Sequence, residues 1–212
     1  MDNLIEAYKL LDTIKDSNDQ NKIKEVAKLA FATSDKCFEA AIILSKLTDD
    51  FKEKEEILLT SLKVNENNEQ LFLELASLYF DYGMFKLAKQ YYLKIENNAL
   101  AKCRLMTIYA FFEDDCADEF YQQNTNASDP IDFVRMSFPY MFYKYKTNNV
   151  KEVKELLDKI IKINPYIFKI IMSEKIEDEN NEEVKEAYKV FRNNAVLINS
   201  SPYSVLYLVS LC

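Results

Sequence analysis

Proton transfer, nucleophilic attack and metal binding each need particular side chains, and this chain lacks the most versatile of them. Its 212 residues include no histidine. Ser-His and Cys-His nucleophile pairs are therefore excluded. The single glycine, Gly83, excludes a Gly-rich phosphate loop. Cys37, Cys103, Cys116 and Cys212 are widely separated and form no C-x-x-C, so the paired spacing of a zinc site is missing. Reduced, mostly buried thiols of a cytosolic protein are expected. Neighbouring carboxylates occur at Asp49-Asp50 and Asp114-Asp115. Both pairs fall at predicted helix junctions, where Asp caps a helix or faces water. Asn126-Ala127-Ser128 has the form of a glycosylation acceptor, but M-D-N-L-I-E-A is no secretory signal and a plain loop is expected. No catalytic, metal-binding or cofactor-binding residue is assigned, and the chain is expected not to be an enzyme.

Binding is the chemistry that remains. Phe138, Tyr140, Phe142, Tyr143 and Tyr145 place five aromatics in eight residues. Packing between helices is the first expectation for them. The excess over one buried face makes Phe138, Phe142 and Tyr145 candidates for contact with a partner. The acidic, Asn-rich stretch from Glu174 to Glu183 is expected to be a solvated loop, with contact to a basic partner as the other reading. Net charge is −8, and lysines are interleaved with Glu and Asp rather than gathered into a patch. Nucleic acid is therefore not an expected partner. No apolar run approaches the ~18 residues of a membrane span.

These side chains must be positioned by helices. One glycine and four prolines argue against a turn-rich β fold. The clearest pattern runs from Phe72 to Ile95. Phe72, Leu75, Ala76 and Tyr79 share one helical face before Gly83, and Phe85, Ala88, Tyr92 and Ile95 share another after it. Two antiparallel helices approach closely where small residues face each other, and Ala76 and Ala88 are placed for that. Gly83 ends the first helix, where positive φ costs it least.

F-x2-L-A-x2-Y, the glycine and F-x2-A-x3-Y together resemble the tetratricopeptide (TPR) repeat, whose period is about 34 residues. Ile95 and Leu100 depart from it, standing where that family usually has a small residue and a proline. The resemblance implies a partner surface on the first helix of each hairpin. In the Phe72 repeat its outward positions are Gln70, Leu73, Ser77, Phe80 and Asp81. These are not the Lys, Asn and Arg that chaperone-tail-binding members use to clamp a terminal carboxylate. Leu73 and Phe80 would suit an apolar or mixed segment.

Elsewhere the same reading predicts helices over 2–15, 20–33 and 52–64, and one through Phe38, Ile42 and Leu44 capped by Ser34 or Asp35. Leu44-Ser45 matches Leu75-Ala76, which makes the inter-helix turn of that earlier repeat about three residues short. A buried helix is predicted over 100–112 and a short one over 114–123. Asp129-Pro130 is a helix start, and Pro139 is expected to kink that helix or force it to restart. Asn148-Asn149 replaces the turn glycine, and further helices are predicted at 150–163, 166–173, 182–193 and after Ser201-Pro202. The stretch from Asp114 to Pro165, with its acidic linker, E-A-Y and final helix, is similar to bacterial TPR proteins related to a suppressor-of-tumorigenicity family. The resemblance implies no activity.

The expectation is an all-α, TPR-like right-handed solenoid of about five hairpins with a C-terminal capping helix, one domain over 1–212. It would act as a cytoplasmic, non-catalytic adaptor for a protein or peptide, as a monomer or weak homodimer. The alternative is a regulator whose acidic surface occludes a basic site on a nucleic-acid enzyme.

Overall fold

The computed structural model describes residues 3–176, 178 and 180–211, and all regular structure among them is helical. Contacts gather into two compact units, Met1–Glu96 and Asn97–Cys212. No helix of the described residues is long and apolar enough to cross a membrane.

The first unit holds α1 (Asn3–Asp12), α2 (Gln20–Thr33), α3 (Phe38–Lys46), α4 (Phe51–Val64), α5 (Glu69–Asp81) and α6 (Phe85–Tyr92). Sequence neighbours pack as hairpins: α1 on α2, α3 on α4, α5 on α6. Small residues set the spacing. Ala7, Ala30, Cys37 and Ala40 form one fully buried cluster, and Ala27 and Ala41 join Leu44 and Ile57 in the next. Ala76 and Ala88 are likewise fully buried. Asp19, Asp50 and Asn68 cap α2, α4 and α5 by accepting backbone N–H groups of the first turn. Helix α3 corrects two expectations. Its N-cap is Cys37, which makes no side-chain cap bond, rather than Ser34 or Asp35. Its brevity lies in the helix, nine residues against thirteen in α5, not in the turn.

The second unit holds α7 (Ala99–Phe112), α8 (Ala117–Asn124), α9 (Pro130–Lys146), α10 (Val150–Ile163), α11 (Tyr166–Ile171), α12 (Glu182–Asn193), α13 (Ala195–Ser200) and α14 (Pro202–Leu211). Helix α9 packs on both α7 and α10. Helix α13 is not among the elements that apolar spacing predicts. The reason is tertiary: Asn194, which ends α12, is fully buried, accepts from the Thr107 hydroxyl of α7 at 2.8 Å and donates to the Val190 carbonyl at 2.8 Å. An asparagine that looks like a loop residue is thus a buried pivot. Pro139 neither ends α9 nor splits it. A proline cannot bond the carbonyl four residues back, here Arg135. That carbonyl accepts instead from the Cys103 thiol at 3.5 Å.

One turn geometry recurs. Gly83 has φ +73, its N–H reaches the Phe80 carbonyl at 3.0 Å, and the Met84 N–H reaches Tyr79 at 2.8 Å. Asn148 (φ 61) and Ser173 (φ 56) repeat both bonds, to Tyr145 and Lys144 and to Ile170 and Lys169. At Glu113 (φ 55) the Asp114 N–H makes the long bond, to Tyr109. Each is a left-handed closure of a helix end. The expected glycine substitute at Asn148 takes this form, whereas Glu113 and Ser173 carry no compositional signal for it.

Candidate functional site

The residues expected to line a groove on α5 lie on a two-faced helix. Asn68 starts it, accepting from Gln70 and Leu71 N–H groups at 2.9 and 3.0 Å. Leu71, Leu75, Ala76 and Tyr79 turn into the core. Gln70 and Asp81 are exposed, and Leu73, Glu74 and Ser77 are half-buried. Phe80 does not belong with them. It is 8% exposed and packs edge-on against Phe85 and Tyr92, at 5.3 and 6.4 Å between centroids. The correction has a simple cause: Phe80 stands four residues after Ala76, on the same buried face of α5, and α6 supplies an aromatic wall on that side.

Ser77 and Asp81 line a cleft of about 210 Å³ between α3, α4 and α5. Ser45, Lys46, Lys54 and Glu74 line it too. Lys46 pairs with Glu74 at 2.7 Å, bridging α3 and α5, and the Ser77 and Tyr92 hydroxyls are in contact at 3.4 Å. Leu58 and Leu78 complete the lining, so the cleft offers a mixed polar and apolar surface.

The second candidate, the aromatic run, lies in the other unit. Phe138 and Phe142 are fully buried, with centroids 5.5 Å apart, and Phe138 also meets Phe168 at 6.2 Å. As partner contacts both are corrected to core: α9 is flanked by α7 and α10, which leaves no side for them to present. Tyr145 is half-buried, its ring 5.1 Å from Tyr207 of α14.

Within this run is a charged centre that apolar spacing does not reveal. Lys144 is 9% exposed, yet its Nζ lies 2.6 Å from Asp118 of α8 and 3.1 Å from Glu152 of α10. It also lies over the Tyr140 and Tyr143 rings. The Tyr140 hydroxyl donates to Asp118 at 2.6 Å, and its ring stacks on Tyr121 at 3.8 Å. Burial pushes the Tyr140 phenol up, and Asp118 pushes it further. Burial opposes charge on Asp118, but bonds from Lys144 and Tyr140 prevail and hold its carboxyl below the ordinary value. Burial likewise opposes the Lys144 charge, and the two carboxylates outweigh it. A lysine inside F-P-Y-M-F-Y-K-Y is the available signal: a cation at a core position requires paired anions.

Arg135 makes a bidentate pair with Glu186 of α12, at 2.5 and 2.8 Å. Burial disfavours the Glu186 charge, but the arginine keeps its carboxyl below the usual range. The Cys103 thiol is pushed up to about 12 by burial. Cys37 is buried and Cys116 exposed; Cys212 lies outside the described residues. Among the described residues no group of Cys, Asp and Glu is arranged to hold a metal ion. In the acidic stretch, Glu182 pairs with Lys185 at 2.7 Å, while Glu177 and Glu179 lie outside the described residues. Lys144 and Arg135 thus join helices through ion pairs within the chain.

Comparison of the chain with protein-family models and with curated proteins gives no match.

Proposed function

We propose that this protein is a non-catalytic, TPR-like binding protein. Right-handed stacking of helical hairpins presents the outer face of α5, through Gln70, Leu73, Ser77 and Asp81, to a protein or peptide segment. The observation that carries the reading is the division of α5. One face is sealed against α6 through Ala76 and Ala88, while the other stays open beside the cleft shared with α3 and α4. Local pairing of surface charge, as in Lys46 with Glu74 and Lys189 with Glu186, favours a groove over broad acidic occlusion of a basic site. The partner carries an apolar side chain for Leu73 flanked by polar groups for the cleft.

A photo-crosslinking amino acid at position 73, compared with one at exposed Lys28 on α2, tests this in native lysate with mass spectrometric identification. A protein captured specifically from position 73, and lost when Ser77→Arg fills the groove, is the expected result. Equal capture from both positions, or capture indifferent to Ser77→Arg, overturns it.

A further inference from the structure

Helix α14 is unlike the other long helices of the second unit. Its ten residues, P-Y-S-V-L-Y-L-V-S-L, include no charge. A helix apolar on all sides is ordinarily covered on all sides. Here only Ser204 and Leu208 are buried, while Tyr203 is 80% and Leu206 66% exposed. Helices α10 and α12, by contrast, turn Lys151, Lys154 and Glu155, or Glu182, Lys185 and Lys189, outward. A ten-residue helix is also too short to be stable by itself in water. What holds α14 is its bed on α9 and α13, including the contact of Tyr207 with Tyr145.

From these features we infer that α14 is a strap that detaches as a unit, with the rest of the second unit folded, and that its release uncovers the Tyr145 end of α9. The opening does not rest on the binding role proposed above.

Native-state hydrogen exchange on the full chain, resolved by residue, reads the opening directly. Amides of α14 are expected to exchange about 100-fold faster than those of α9, at rates that rise together with urea but with a slope well below that of global unfolding. Leu208→Ala is expected to speed them roughly tenfold further while α10 keeps its protection. The chain contains no tryptophan, so Tyr145→Trp adds a single reporter whose acrylamide quenching rises when Leu208→Ala is combined with it. Exchange of α14 at the rate of α9, or acceleration by urea in step with global unfolding, overturns the inference. So does an indole signal in Tyr145→Trp that Leu208→Ala leaves unmoved. A detaching strap together with a negative crosslinking result at position 73 would leave this inference standing and remove the binding reading alone.

Discussion

At the scale of residues, Lys144 and Cys103 show how the second unit tolerates polar groups inside. Lys144→Met removes a cation that two carboxylates and a phenol face. Both carboxylates keep some exposure, so water compensates in part. The loss is expected at about 2 kcal/mol, between the values for exposed and buried pairs, measured as a shift of the urea midpoint. Cys103→Ala leaves the Arg135 carbonyl without its thiol donor and opens a small void, at a cost of about 1–2 kcal/mol. In a Pro139→Ala background that cost is expected to be smaller by about 0.5 kcal/mol, because the new N–H can reach the same carbonyl. A double-mutant cycle with no coupling would show that the thiol is merely adjacent. Neither arrangement is visible in the sequence beyond its symptom, a lysine and a proline in an apolar run, since the partners Asp118, Glu152 and Cys103 come from other helices.

At the scale of elements, helix positions are legible wherever apolar spacing and capping agree. Glu182–Asn193 can be read from Val184, Ala187 and Phe191, and the start at Pro130 from the Asp129 cap. Helix α13 escapes such reading because its start is specified by the burial of Asn194, a tertiary fact. The outward face of α5 is legible in the same way: the i, i+3, i+4 rule separates Leu73 and Ser77 from the core and, applied from Ala76, also places Phe80 on the buried side; the partners Phe85 and Tyr92 that cover it are a tertiary matter. The left-handed turns invite a paired test. Gly83→Ala meets no atom within 4 Å of the new Cβ. It should therefore cost only the backbone penalty at φ +73, about 1 kcal/mol. Ser173→Gly relieves that penalty and should raise stability by up to about 1 kcal/mol, less the entropy gained by the unfolded chain. Thermal unfolding of the two variants, moving in opposite directions, is the expected outcome.

At the scale of the molecule, the absence of histidine fixes the response to pH. Few groups titrate between about pH 5.5 and 7.5, so stability is expected to be nearly flat there. Asp118 and Glu186 have depressed values in the folded state. Their contribution is present above their unfolded values and lost as pH falls through their folded ones. Stability is therefore expected to drop below about pH 4.5, and the drop in urea midpoint should be shallower in Lys144→Met. The hairpins carry one more consequence, for synthesis. Because α5 and α6 are joined by a three-residue turn, their contacts need no distant segment. Such a pair can close as soon as both helices have left the ribosome, with a small loop-closure cost. In the second unit, Asn194 at the end of α12 must meet Thr107 of α7, so α7 has to wait for most of the unit to emerge before its buried hydroxyl finds its partner.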